Sequence, residues 1–341
     1  MSDFVPGVHA IPEAEYHAIP AVGSSGIRWL AISPMDFWAR TPWLNPKAGP
    51  SEETEFTELG TAYHERILRG PEAFTARYAP ALDLEDYPDA LVTADDLKEA
   101  CRDHGLKISG SKGELVERLR EANLDVAAWE AILAEHALSN AGKILLPGKR
   151  LAHIEIAAAM IERHPDLSRC FQGGIPELAV VWVDEETGVP CKARIDYLKP
   201  KAMIELKSFS NSLGKSIDEA IYSAIAGRRY FVQAAHYLSA WPHLRKAVEE
   251  GRVYGDIDAD LLFLTEDEPT WVWVFQQTGP APLARGKLFP AGVVRDIGNQ
   301  IVRQALETFA RCKATFGTDP WVDDRPIEAL DDMGFPAWIG R

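Results

Sequence analysis

Residues 177–208 read as three short apolar runs separated by turn-forming residues, and on both sides the apolar positions recur at helical spacing. Glu177-Leu178-Ala179-Val180-Val181-Trp182-Val183 predicts a strand, Asp184-Glu185-Glu186-Thr187-Gly188 a hairpin turn, and residues 190–198 and 202–208 two more strands around Lys199-Pro200-Lys201. A three-stranded meander follows. Upstream, residues 1–22 are rich in Pro, Ala and His and predict an extended arm. Short helices are expected from Ser24 and from Ser33-Pro34, the second with proline at an early helical position. Leu59, Tyr63 and Ile67 give residues 57–68 one apolar helical face. Residues 128–164 are helical around a break at Leu146-Pro147-Gly148, with His153 and His164 at the surface. Downstream, one long helix is expected from about 216 to 241, then strands at 259–264 and 271–276, and a last helix at 294–316. A helix between the third and fourth strands permits a right-handed crossover, so the expected class is α/β, a mixed sheet flanked by helices.

Residues 93–125 read as a separate small unit. Thr93-Ala94-Asp95-Asp96 and Ser111-Lys112-Gly113-Glu114 each fit a helix-capping pattern, and Gly105 ends the first helix. Leu97, Ala100, Leu106, Ile108, Leu115, Val116 and Leu119 would form its own core.

The 341 residues carry a net charge of -15, which argues against a generally basic nucleic-acid binder. It does not exclude a nucleic-acid enzyme, because a local basic channel and a bound metal ion reverse the sign where it matters. Cysteines stand at 101, 170, 191 and 312 with no CxxC pair, so neither a disulfide framework nor a zinc ribbon is expected. No apolar stretch has the length of a membrane span, and the N-terminus lacks a signal pattern; a cytoplasmic protein without membrane contact is expected.

The chemistry concentrates in the second and third strands of the meander. Asp196 stands in one, and Glu205 and Lys207 in the other. Alternation puts Glu205 and Lys207 on one side, and the hairpin brings Asp196 beside them. Two carboxylates with no cysteine suit a hard divalent cation such as Mg²⁺ or Mn²⁺. A neighbouring lysine can orient a water or stabilise a phosphoryl oxygen, with its pKa lowered if it is partly buried. Taken alone, the same pattern describes a half-exposed strand with charged residues on its solvent face.

Asp196-x₈-Glu205-x-Lys207 resembles the PD-(D/E)XK nuclease core. Gly60-Thr61-Ala62-Tyr63-His64 is similar to the helix preceding that core in RecB-, Cas4- and RecE-type enzymes, and Phe231-Val232-Gln233-Ala234-Ala235-His236-Tyr237 to the Gln-x-x-x-Tyr motif of the same group. The resemblance implies a restriction-endonuclease-like core. It implies that His64, Asp196, Glu205 and the backbone carbonyl of Leu206 hold one or two Mg²⁺ or Mn²⁺ ions, with Glu177 as a further candidate. Lys207, Gln233 and Tyr237 would complete the catalytic set, and Arg228 and Arg229 would meet phosphates. The run from Leu97 to Leu119 resembles a SAP or helix-extension-helix module, which implies DNA contact through Lys107, Ser111 and Lys112, although six Lys and Arg face eight Asp and Glu across residues 93–125.

These resemblances divide the chain into an N-terminal helical part (1–85), the insert (90–126), the nuclease core (127–320) and an acidic, aromatic tail (321–341) that docks on the body or meets another subunit. The implied activity is that of a Mg²⁺-dependent RecE-like 5′ to 3′ exodeoxyribonuclease acting on duplex ends in a phage or prophage recombination system. Its implied partners are a single-strand annealing protein and further copies of itself. A catalytically silent DNA-binding accessory protein of the same fold stays open, and so does a Cas4-like nuclease. The latter carries an iron–sulfur cluster, which is not expected here because Cys312 is alone in its region.

Overall fold

The computed structural model describes residues 5–49, 55–124, 127–279 and 281–322. The expected arm contains β1 (Gly7–His9), which joins the main sheet, and a helix, α1 (Glu13–Ala18). Pro12 sets the entry to α1, Glu13 and Glu15 fall in its first turn and His17 in its last, the arrangement a helix dipole favours. That local charge order overrides the extended tendency of the prolines. Next come α2 (Ser24–Leu30) and α3 (Pro34–Arg40), the latter capped by Ser33, whose Oγ accepts the Asp36 N–H at 3.1 Å. Then α4 (Glu55–His64) passes directly into one π-helical turn, Glu65–Arg69, followed by α5 (Gly70–Arg77) and β2 (Tyr78–Ala81).

The small unit contains α6 (Ala94–Asp103) and α7 (Lys112–Glu121), and both expected capping boxes are formed. Its core is Leu97, Cys101, Leu115, Leu119 and Ala128. Ile108 was expected there but is 41% exposed, because it lies in the loop between the helices, off the apolar stripe. Cys101, one turn after Leu97, takes the inner position. α8 (Trp129–Ser139) leads to β3 (Ile144–Pro147), which pairs in parallel with β2, so the sequence break before Gly148 holds a strand. α9 (Gly148–Arg163) and α10 (Leu167–Cys170) complete this half. His153 is not a surface residue: it is half-buried, its ring edge-on to Tyr63.

The meander forms as expected from β4 (Ile175–Val183), β5 (Pro190–Lys199) and β6 (Ala202–Ser210). The long helix does not. It is broken into α11 (Ile217–Gly227), α12 (Tyr230–Ser239) and α13 (Trp241–Glu249). Arg229 adopts a left-handed φ of 52°, and Pro242 can stand only in the first turn of a new helix. β7 (Val253–Tyr254) follows. The strand expected at 259–264 is instead a single 3-10 turn, Ala259–Leu262, nucleated by Asp258, whose carboxylate accepts the Asp260 N–H. β8 (Thr270–Gly279), the unforeseen β9 (Leu283–Leu288) and α14 (Val293–Phe316) end the fold. Arg285, Gly286 and Lys287 hide β9 from an apolar pattern, as suits an edge strand.

The main sheet has the order β7-β1-β4-β5-β6-β8-β9, with β1–β7 and β6–β8 parallel and the other neighbours antiparallel. One face packs on α2, α3, α12, α13 and α14 around Trp241, Trp271 and Phe275. α14 approaches α12 closely enough that a Cβ on Gly298 would stand 2.9 Å from the Phe231 carbonyl. The other face covers Ile204, Leu206 and Val274 with Leu68, Ile161 and Leu167. Trp321 is fully buried against Phe37 and Phe309, so the start of the tail docks on the body; Phe335, Pro336 and Trp338 lie outside the described residues.

Candidate active site

Two irregularities in the sheet create the site. Pro176 pairs with Tyr197 and Leu178 with Ile195, so Glu177 stands opposite Asp196. Ile175 and Leu178 both face the main core, as do Leu198 and Ile195. Residues three apart in a regular strand point to opposite faces. Both strands therefore change phase here, and Glu177 takes a left-handed φ of 51°. In addition, β5 pairs with β6 only from Tyr197↔Ile204 to Lys199↔Ala202, whereas β6 stays paired with β8 along its length. β5 and β6 thus part at Asp196 and Glu205.

The catalytic candidates meet in this opening. Asp196 Oδ2 accepts the Leu206 N–H at 2.8 Å. The carbonyl of an extended residue leaves the strand on the same edge as its N–H, so Leu206 O faces the same gap. Glu205 is 2% exposed, and its Oε1 accepts from Lys207 Nζ and from Gln233 Nε2, each at 2.6 Å. Its Oε2 is buried with no partner. Lys207 also lies over the Tyr230 ring, 5.2 Å from its centre. His64, at the end of α4, places Nδ1 3.9 Å from Asp196 Oδ1, too far for a hydrogen bond. Gly60 faces the end of β6, and an added Cβ would meet Ser208 Oγ at an ordinary 3.5 Å; the glycine permits this approach without being required by it. Tyr237, one turn beyond Gln233, is buried beside Trp271.

The charges are poised. Burial, then the charge of Asp196, pushes the Glu205 carboxyl up to about 7; burial pushes Asp196 up to about 6. Burial, then Lys207, lowers the His64 imidazolium, which favours the neutral ring that a metal requires. The sequence suggested a lowered Lys207, but the opposite holds. Burial does penalise its ammonium, yet Glu205 and Asp196 outweigh that cost and raise it above the ordinary lysine value.

These residues line an open cavity of about 770 Å³, together with Glu13, Tyr16, Arg69 and Arg194. Glu177 reaches the wall, but both its oxygens are held, one by Arg69 and one by Arg194 at 3.2 Å. Arg228 and Arg229 are exposed at the joint between α11 and α12 and are not part of this wall. In the insert, Ser111 is spent on its capping box, Lys112 Nζ donates to the Val92 carbonyl at 2.7 Å and pairs with Glu130 at 3.3 Å, and Lys107 is exposed. Arg69, Glu13 and Arg194 were missed. For Arg194 a signal existed: it stands two residues before Asp196 on the same strand.

Among the described residues, no three His, Cys, Asp or Glu side chains are already gathered as a metal cage. The donor set nevertheless suits a hard divalent ion. The charge of Asp196 adds to burial in opposing ionisation of Glu205, and Glu205 Oε2 is a buried oxygen without a hydrogen-bond partner.

Residues 91–123 match the SAP domain model, and residues 113–245 match that of a PDDEXK-like domain of unknown function (DUF3799). The second span contains Asp196, Glu205, Lys207, Gln233 and Tyr237 but not His64. No curated protein matches the chain. Two solved structures bear remote likeness. One, described as "Putative exonuclease" from Eubacterium rectale, is 14% identical over 75% of this chain and 97% of its own, with a TM-score of 0.33. The other, SSO0001, is 12% identical over 76% and 87%, with a TM-score of 0.24. Residues 113–245 thus carry a PDDEXK-like domain that spans the strands bearing Asp196, Glu205 and Lys207, and a SAP domain precedes the β4–β6 meander.

Proposed function

We propose that this protein is a metal-dependent deoxyribonuclease, most similar in its motifs to RecE-like exonucleases, that hydrolyses phosphodiesters from linear duplex ends in the 5′ to 3′ direction. The observation that carries the reading is Glu205: a carboxylate 2% exposed, tied to Lys207 and Gln233 through one oxygen, with its other oxygen buried and unpartnered next to Asp196. His64, Asp196, Glu205 and the Leu206 carbonyl would hold one or two Mg²⁺ or Mn²⁺ ions. Such an ion supplies Lewis-acid stabilisation of the phosphate charge and acidifies water.

The chain's own groups do the rest. Lys207 stays an ammonium and is fixed by Glu205 and the Tyr230 ring, so it acts as a rigid donor to a water or a phosphoryl oxygen rather than as a base. Gln233 holds Glu205 in one rotamer and leaves its carbonyl oxygen as a water acceptor. Tyr237, whose phenol burial and the charge of Glu205 keep protonated, can donate to the strand entering the cavity. An annealing protein and a homo-oligomer are the partners this reading suggests.

The silent-binder alternative draws on one observation, that Lys207 and Gln233 already occupy Glu205 Oε1. The test is hydrolysis of linear, nicked and circular duplexes with Mg²⁺, Mn²⁺ or chelator by wild type, Asp196→Ala and Lys207→Ala. Cutting of linear DNA by wild type alone supports the enzyme; end labels on either strand read the polarity. A wild type that cuts nothing with either ion defeats it.

A further inference from the structure

One strand presents two charged residues to the cavity, with a third behind them. Lys192, Arg194 and Asp196 take alternate positions on β5, so they share a face at steps of about 7 Å. Lys192 is 7% exposed, and its Nζ donates to the carbonyls of Tyr16, His17 and Ile19 at 2.9, 3.2 and 2.8 Å. It therefore closes the C-terminal end of α1 and pins that helix, whose Glu13, Tyr16 and His17 line the cavity wall. From α1, Glu13 reaches Arg194 Nη1 at 3.5 Å. Arg194 Nη2 binds Glu177, and Arg69 binds the other oxygen of the same carboxylate. Two guanidiniums thus straddle one carboxylate at the edge of the site.

We propose that Arg194 and Arg69 bind a backbone phosphate of the DNA strand, adjacent to the one that is cleaved; Glu177 positions the two guanidiniums, and Glu13 holds the phosphate's place until DNA enters. This rests on the deoxyribonuclease reading. Three observations carry it. First, the Arg194 Nε–H is buried without an acceptor, although the side chain is only 12% exposed and its other nitrogens are paired. A buried guanidinium donor without a partner is costly, and a phosphate oxygen would complete it. Second, the two acidic partners differ in how firmly they are held. Glu177 is 17% exposed and fixed by a left-handed backbone, whereas Glu13 is 54% exposed on a six-residue helix. Glu13 is the one a stronger anion can displace. Third, the chemistry matches: a guanidinium fork pairs with carboxylate and with phosphate in the same planar geometry. Strained backbone at Glu177 fits a carboxylate kept for its position.

The experiment is binding of a short fluorescent linear duplex to the full chain in Ca²⁺, followed by anisotropy across a salt series, with Mg²⁺-dependent cutting measured in parallel. Arg194→Gln is expected to weaken binding about tenfold and to lower the slope of log K against log salt by about one. Arg194→Lys keeps the slope while losing part of the affinity, which separates a phosphate contact from a folding defect. Glu13→Gln is expected to tighten binding, because it removes the competing anion. Wild-type affinity and slope in Arg194→Gln would overturn the proposal, as would weaker binding in Glu13→Gln. A wild type that cuts DNA while Arg194→Gln keeps its slope defeats the phosphate site alone. A wild type that gives the slope change but cuts nothing defeats the nuclease reading alone, and one that binds no duplex defeats both.

Discussion

In the insert, each helix start is closed by residues three apart, Thr93 with Asp96 and Ser111 with Glu114, and five side chains between 97 and 128 make its core. The opening between β5 and β6 gathers His64, Asp196, Glu205 and Gln233 from four elements and leaves an oxygen, Glu205 Oε2, without a partner. The first region satisfies its polar groups locally and exposes its charges. The second buries charges and fails to satisfy them all. A region whose groups are all paired has nothing left with which to hold a cation; a region with a buried carboxylate oxygen left unpartnered does. The difference teaches where chemistry can be done, and it can be broken by experiment.

The largest effect should follow from the unsatisfied region. On the proposed reading, Asp196→Ala is expected to lower the rate of DNA cutting by about a thousandfold or more, with the fold retained by circular dichroism, since its carboxylate would serve the ion and the phosphate rather than the core. Next, Leu115→Ala opens a void in the fully buried centre of the insert and should cost about 3 kcal/mol there. Hydrogen exchange should then rise in residues 91–124 while β4, β5 and β6 stay protected. Loss of protection in both regions would mean that the insert is not an independent packing unit.

A pH test separates the two regions further. His236 on α12 is fully buried, its Nε2–H donates to the Lys192 carbonyl at 3.1 Å, and burial pushes its pKa down to about 4. With a folded pKa below the unfolded one, the unfolded chain binds the proton first as pH falls. Stability from this group is full above about pH 6.5 and is lost as pH falls toward 4. Relative to His236→Gln, wild type should lose about 2 kcal/mol between pH 7 and pH 5 in urea unfolding of the sheet. A constant difference over that range would show that the ring is not held neutral. The smallest effect is expected for Ser111→Ala, which removes one cap from α7. About 1 kcal/mol should be lost within the insert, and the cutting of short duplexes should not change.

Signals carried by neighbouring residues were legible in the chain itself. Both capping boxes, the meander of β4, β5 and β6, and the shared face of Glu205 and Lys207 depend on spacings of two to four residues, and all three formed as read. Gln233 was likewise singled out by its Gln-x-x-x-Tyr motif, and it meets the strand pair. The errors arose where a longer-range contact or a single backbone torsion overrides local pattern. Arg229 broke the long helix through one left-handed residue, β9 exists because β8 offered it an edge, and Ile108 lost its place to Cys101.

The order of acidic, basic and apolar residues was enough to indicate the class of fold and to point to Asp196, Glu205 and Lys207 as a candidate set, because strand alternation and helix caps act over a few residues. What only the tertiary structure decided is the state of those groups. The parting of β5 from β6, the left-handed Glu177 and the arrival of α1 and α4 set which oxygens are buried, which are paired and which are left over. Burial and pairing depend on what lies across space, so Lys207 is raised rather than lowered, and Arg194 becomes part of the cavity wall.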